Sequence, residues 1–201
     1  MIISNMDAST FNHLTTIQQH LNSRSRKDNG FGKTCQIFLA ITFCRLGFQV
    51  ENYSSQGVDI DSWNHPYFPN LSIEVKTTIK HTVTLGQKDV DGLKKKAREG
   101  YEPIFAVLRL ELLSNWIIAK AKGIKAGNHP VGRLQTSVRA MPELQDQVNQ
   151  EFSRVVNDYG AIVSSIPAEE ILTDLDKYLD REKLKVVPKG SGMALRAGYR
   201  F

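Results

Sequence analysis

Two short runs, Gly57-Val58-Asp59-Ile60-Asp61-Ser62-Trp63 and Leu71-Ser72-Ile73-Glu74-Val75-Lys76-Thr77-Thr78, decide how this chain reads. Both alternate in the manner of a half-buried β-strand, and both carry charge where such strands seldom keep it. Side chains two apart on a strand share a face, so Asp59 projects with Asp61, and Glu74 with Lys76. The segment between them, Asn64-His-Pro-Tyr-Phe-Pro-Asn70, holds two prolines and reads as a long hairpin connection. In an antiparallel hairpin Asp59 and Glu74 lie side by side where the strands diverge. Glu74-Val75-Lys76 is the only acid-x-lysine triplet in the sequence. Taken alone it reads as a surface cross-strand pattern worth about 0.2–1 kcal/mol. Its pairing with Asp59 carries the information.

Working outward, a helix is predicted from about Lys33 to Leu46, with Ile37, Phe38, Ile41 and Cys44 on one apolar face and Gly47 as its stop. Phe48 to Tyr53 alternates like a strand. A second helix is predicted from about Gln87 to Glu99, with Val90, Leu93 and Ala97 on one side and Gly100 ending it. Pro103 to Leu110 is a nearly continuous apolar run, as expected of a strand buried on both faces, and Asn115 to Lys120 adds another. The order is helix, three meandering strands, helix, strand, which defines an α/β (α+β) fold with a central sheet flanked by helices. Residues 1–29 read as a polar, weakly patterned segment. After Gly123, Gly127 to Gly132 reads as loop. Pro142 to Tyr159 and Pro167 to Leu179 read as helices, and the glycines at 190, 192 and 198 as a loosely specified end.

With 201 residues, 41% of them hydrophobic, the chain can bury one sizeable core. No stretch approaches the roughly 18–20 apolar residues of a membrane span, and the start lacks the pattern of a secretory signal. Cys35 and Cys44 are offset around one helix and read as two reduced thiols, so the expected location is cytoplasmic. The net charge of +5 suits a polyanionic partner. Basic residues gather at Arg24, Arg26, Lys27 and Lys33, at Lys94, Lys95, Lys96 and Arg98, and in a tail with no acid after Glu182. His13, His20, His81 and His129 form no constellation with Ser or Cys, so nucleophilic catalysis has no support. Gly30-Phe-Gly-Lys-Thr34 lacks the spacing of a phosphate-binding loop.

Two carboxylates and a backbone carbonyl, that of Val75, make a hard-oxygen site suited to Mg²⁺. Such an ion polarises a phosphate and activates water. Lys76 then orients or deprotonates the water, or stabilises the pentacovalent phosphorus, and a depressed lysine pKa would suit that work.

The helix, Gly57-Val58-Asp59-Ile60 and Ile73-Glu74-Val75-Lys76-Thr77 together resemble the core of the PD-(D/E)XK nuclease superfamily, to which restriction endonucleases, archaeal Holliday-junction resolvases and several repair nucleases belong. The resemblance covers roughly residues 30–120. It implies a restriction-endonuclease-like αβββαβ core with a central mixed sheet, Mg²⁺-dependent hydrolysis of DNA phosphodiesters with Mn²⁺ as a substitute, and a homodimer. Asp59 would match the motif's aspartate, Glu74 its second acid and Lys76 its lysine. Val58 stands where the motif often has proline. Gln36 stands near the place of a first-helix glutamate, so one firmly held ion is expected rather than two. The expected organisation is an N-terminal segment (1–29), a nuclease core (30–122) and a C-terminal helical extension with a basic tail (123–201). A type II restriction-type enzyme is the leading expectation, because some 80 residues exceed the minimal core. A junction resolvase or repair nuclease is the alternative within the class, and a catalytically silent nucleic-acid-binding module or a subunit-interface scaffold the alternative outside it. Lys94, Lys95, Lys96 and Arg98 are the expected DNA-backbone contacts. Asp61 reads as an accessory ligand or a solvent-facing strand acid, and Gln87 as a contact to lysine or phosphate or as an exposed helix-start residue. Trp63, His65, Tyr67 and Phe68 stack on bases or cap the sheet.

Overall fold

The computed structural model describes residues 7–22, 30–53, 58–110, 115–167, 170–171, 182 and 185–187. Its elements in chain order are α1 (Ala8–Asn22), α2 (Gly30–Arg45), β1 (Gln49–Tyr53), β2 (Ile60–Trp63), β3 (Leu71–Thr78), β4 (Thr82–Leu85), α3 (Gln87–Arg98), β5 (Glu102–Arg109), β6 (Trp116–Lys120), β7 (Gly127–Pro130), a 3-10 turn (Val131–Gln135), α4 (Pro142–Ser165) and β8 (Lys185–Val187). Six strands form one mixed sheet in the order β6-β5-β3-β2-β1-β8. β1, β2 and β3 meander antiparallel, β5 returns parallel to β3, and β6 pairs antiparallel with β5. The core thus follows the αβββαβ order expected from the sequence, as a mixed sheet flanked by helices.

The sheet sorts its residues by period two. Ile60, Ile73, Ile104, Ala106 and Ile118 face α1, α2 and α4, while Phe105, Val107, Ile117 and Ala119 face α3 and the β4–β7 pair. Glu74 lies opposite Phe105 and Lys76 opposite Val107 in the β3–β5 register, which sets both charged side chains on the α3 side. α2 departs from the single apolar face expected of it: it is buried all the way round from Thr34 to Phe43. The sheet takes one side, and α1 and α4 take the other. Each fully buried Phe or Leu there contributes about 1.5–3 kcal/mol. Gly47, with φ 99°, ends α2 in the left-handed region that glycine adopts without strain.

Further elements differ from the expected pattern, among them β4 (Thr82–Leu85) and β8 (Lys185–Val187), for which no strand was expected. The described part of residues 1–29 contains α1, whose Leu14 and Ile17 are fully buried and whose start Asp7 caps by accepting the Thr10 N–H at 2.8 Å. Gly127–Pro130, expected to be loop, is a strand paired with β4. The helix expected over Pro142 to Tyr159 runs on to Ser165, and its apolar residues are buried in the main core. Close packing reaches its limit at Gly160, where a Cβ would lie 2.8 Å from the Cβ of His13. α4 also seals the outer edge of β6. Asn149 Oδ1 accepts the Trp116 N–H at 2.8 Å and Gln145 Oε1 that of Ile118 at 3.1 Å. The apolar side of α4 is therefore used inside the molecule rather than left as a subunit surface. The helix expected over Pro167 to Leu179, the cluster at Arg24, Arg26 and Lys27 and most of the basic tail lie outside the described residues. Among the described residues no helix is long and apolar enough to cross a membrane, and Cys35 and Cys44 are not bridged.

Candidate active site

Asp59 stands one residue before β2, one step past the last paired position Ile60–Ile73, so that continuing the register leads to Glu74. Its backbone is clamped on both sides: its N–H donates to Ile73 O at 3.0 Å, and its carbonyl accepts the Tyr53 N–H at 2.8 Å. The Gln36 amide, buried on α2, donates to Asn52 Oδ1 (2.8 Å) and Tyr53 O (2.9 Å), with Asp59 O at 3.2 Å. Three acceptors fix which way that amide points, so its oxygen is turned to Lys33 Nζ at 2.9 Å. Gln36 is a brace for the Asp59 loop.

The Asp59 carboxylate accepts the Val75 N–H at 2.8 Å. Here β2 and β3 have diverged, and a side chain takes an amide that a strand would otherwise pair. A residue's N–H and C=O leave a strand on one side, so the Val75 carbonyl is directed to the same gap. Lys33 Nζ lies 4.0 Å from the other Asp59 oxygen. Glu74 is deeper, with its side chain 3% exposed. Its Oε1 accepts from Lys76 Nζ at 2.6 Å, and its Oε2 is buried with no hydrogen-bond partner. Lys76 Nζ also lies 3.0 Å from Asp89 Oδ2, in the first turn of α3; that oxygen accepts the Gly86 N–H at 2.9 Å, which pins the helix start.

The electrostatics follow from burial. Loss of water, then the charge of Asp59, pushes the Glu74 carboxyl up to about 8 despite Lys76. Burial also raises Asp59, against the Val75 hydrogen bond and the two lysines. For Lys76 burial acts downward, yet Glu74 and Asp89 outweigh it and the ammonium is held above its ordinary value. The depression expected of a strand lysine belongs to one beside a divalent metal; without an ion, Glu74 and Asp89 hold Lys76 up. Two carboxylates share a gap with one close ammonium, and one buried oxygen lacks a partner. Such an orphan asks for an ion or a water. Among the described residues no group of three or more His, Cys, Asp or Glu is gathered for a metal; the donor set is two carboxylates and a carbonyl, all hard oxygen. Those donors fit a divalent cation of the Mg²⁺ type.

Other expected site residues separate from this centre. Asp61 is neither a ligand nor solvent-facing: it is 1% exposed. Its Oδ1 accepts from Ser72 Oγ at 2.7 Å, and Oδ2 meets Tyr53 OH at 2.9 Å and the Lys96 ammonium. Lys96 is correspondingly no DNA contact. It is 6% exposed, paired with Asp61 and Glu99, and its Nζ lies 4.9 Å from the centre of the Tyr101 ring. Lys94, Lys95 and Arg98 are exposed on α3. Lys94 and Arg98 rim a cleft of about 190 Å³ with Lys122, over an apolar floor that includes Leu93 and Ile124. Gln87 donates to Asp91 Oδ1 at 2.8 Å on the exposed helix surface and reaches neither Lys76 nor the acids. Of the loop aromatics, His65 and Phe68 stack on Phe48 and close the end of the core, while Tyr67 is 87% exposed. Lys33 and Asp89 are the residues sequence reasoning missed. Asp89 sits in the first turn of α3, a common place for an acid, and nothing local tied it to Lys76.

No protein-family model and no curated protein sequence matches the chain. Among solved structures it is similar to Hjc of Archaeoglobus fulgidus, a Holliday junction resolvase from an archaeal hyperthermophile. The two are 18% identical, with a TM-score of 0.46 over 57% of this chain and 94% of that one. This chain has a mixed central sheet flanked by helices.

Proposed function

We propose that the protein is a divalent-metal-dependent endonuclease acting on DNA, with Mg²⁺ as its ion and Mn²⁺ as a substitute. The observation that carries this reading is Glu74: a buried carboxylate with one unpartnered oxygen, set across the strand divergence from Asp59 and bound to Lys76. Asp59, Glu74 and the Val75 carbonyl would hold the ion. When bound, it supplies Lewis-acid polarisation of the scissile phosphate and a more acidic water. The chain's own residues do the rest. Lys76 is an ammonium held by Glu74 and Asp89, so its role is to bind a phosphate oxygen and stabilise charge developing there. Gln36 and the Val75 N–H keep the Asp59 carboxylate in place. Asp89 keeps Lys76 extended toward the gap rather than folded wholly onto Glu74.

The extra length that favoured a restriction-type enzyme has a structural use, since α1 and α4 enclose α2. Length therefore no longer separates sequence-specific cutting of duplex from cutting of a four-way junction, and the substrate itself is the measurement. Cleavage of both strands asks for two such sites, which a homodimer supplies. Supercoiled plasmid with Mg²⁺ tests the class: wild type nicks it, and Lys76→Ala and Glu74→Ala do not. No nicking by wild type in Mg²⁺ or Mn²⁺, or equal nicking by Lys76→Ala, overturns the reading. A linear duplex and a four-way junction run beside the plasmid assign the substrate.

A further inference from the structure

Acids are unevenly spread along this chain. It has 21 Asp and Glu in 201 residues, yet 75–88 and 112–142 contain none, while holding three and five Lys or Arg respectively. The fold brings these two stretches together, because β4 pairs antiparallel with β7. Val83 and Leu85 sink into the core on the α3 side. Thr82 and Thr84 are left exposed beside Pro130 and Asn128, with Thr84 Oγ1 donating to Asn128 Oδ1 at 2.6 Å. The outer face of this ribbon is neutral, with hydroxyl and amide groups, and cations stand at both ends. Lys80 precedes β4 and Arg133 follows β7. These two lie at one end, because the Val131 N–H donates to His81 O at 2.9 Å. Lys125, before β7, marks the other end. All three are exposed, and among the described residues no carboxylate forms an ion pair with them.

The dimensions point to a partner. Four residues of strand at about 3.3 Å each set the two ends roughly 13 Å apart. That is close to the ~12 Å major groove of B-DNA, which admits a two-stranded ribbon. The ribbon is also continuous with the candidate site. The chain leaves Lys76, turns at 79–81, forms β4 and passes through Gly86 into α3, where Asp89 meets Lys76 again.

We infer that the β4–β7 ribbon is the surface that holds duplex DNA. It lies in the major groove with Thr82, Thr84 and Asn128 toward the base edges and Lys80, Lys125 and Arg133 on the flanking phosphates. The inference deepens the nuclease reading and rests on it for the chemistry, but its own content is binding. The cleft rimmed by Lys94 and Arg98 is too small to seat a duplex, so those residues are the comparison.

The test is fluorescence anisotropy of a short labelled duplex with the full chain in EDTA, where nothing is cut. In the triple variant Lys80→Ala/Lys125→Ala/Arg133→Ala the salt slope of binding falls by about 0.9 for each phosphate no longer neutralised, up to ~2.7 for the three. Lys94→Ala/Arg98→Ala keeps the wild-type slope. A duplex with bulky glucosyl groups in its major groove binds more weakly, and so does A-form RNA, whose major groove is deep and narrow. All the substituted side chains are exposed, and a thermal melt verifies folding. Overturning results are a wild type that does not bind duplex, a triple variant with the wild-type slope, or equal binding of the blocked duplex. The two readings fail separately. Ribbon-dependent binding without any plasmid nicking overturns the nuclease alone. Plasmid nicking with binding indifferent to the ribbon overturns the ribbon alone.

Discussion

Asp59 and Asp61 leave one face of the sheet two residues apart, and the molecule treats them in opposite ways. Asp61 is wholly enclosed and has partners on both oxygens: Ser72, Tyr53 and the ammonium of Lys96. Asp59 faces Glu74 across a widening gap, with Lys33 only at 4.0 Å and a Glu74 oxygen left without a partner. Both places bury charge. The difference is satisfaction: a completed network ties β2, β3 and α3 together, whereas in the proposed site one buried oxygen of Glu74 has no hydrogen-bond partner. Buried charge alone therefore does not separate the two clusters, and the proposed function rests on the unpartnered carboxylate oxygen of Glu74.

The largest expected effect lies on the incomplete side. Glu74→Gln and Lys76→Ala lower DNA cleavage by about 10³-fold or more, as read by plasmid nicking; a melting curve shows stability unchanged or raised in Glu74→Gln and lowered in Lys76→Ala, which leaves the buried Glu74 without its ammonium. On the complete side Lys96→Met does the reverse. It strands the Asp61 carboxylate in the interior and costs about 3–5 kcal/mol, measured by chemical denaturation, while the folded fraction keeps its activity. Asp61→Leu/Lys96→Met recovers most of that loss, since removing both charges leaves neither uncompensated. If Lys96→Met abolishes cleavage in a protein of undiminished stability, the contrast between the two clusters fails.

A smaller effect separates them by pH. Glu74, ordinarily near 4.5, is raised to about 8 in the folded metal-free protein, by burial first and Asp59 second. A carboxyl raised by folding contributes its stability below the unfolded value and loses it as pH rises through the folded one. The metal-free protein accordingly loses stability between about pH 4.5 and 8, and Asp59, also raised, acts in the same sense. A divalent cation, taking the place of the proton, flattens this slope, and Glu74→Gln reduces it. Denaturation midpoints across that range, with EDTA and with Mg²⁺, measure both. The smallest expected effect is at Asp89→Asn. Lys76 keeps Glu74 but loses its outer partner, and cleavage falls by about tenfold, with up to ~1 kcal/mol lost from the start of α3.

Most of the candidate site's placement was legible because strand period is short-range. Asp59, Glu74 and Lys76 fall on one face by counting twos, and Val75 follows from the same count. Lys96 was misread for want of one rotation: it lies three after Leu93 and six after Val90, on the buried stripe of α3, but a run of three lysines masks it. α1 carried its signal in Phe11, Leu14, Ile17 and Leu21, diluted by polar neighbours. Gly127-Asn-His-Pro130 has almost no strand propensity, and it is extended because β4 offers it an edge and the buried Val131 and Leu134 anchor the 3-10 turn at its end. Lys33 and Asp89 reach the site from distant helices, a relation the topology makes and no local pattern holds.

The most direct test of the central claim is a count of bound cations. Calorimetric titration of Mn²⁺ into the protein with duplex DNA is expected to give one strongly held ion for wild type and for Asp61→Leu/Lys96→Met, and none for Glu74→Gln. An unchanged ion in Glu74→Gln, or none in wild type, contradicts it.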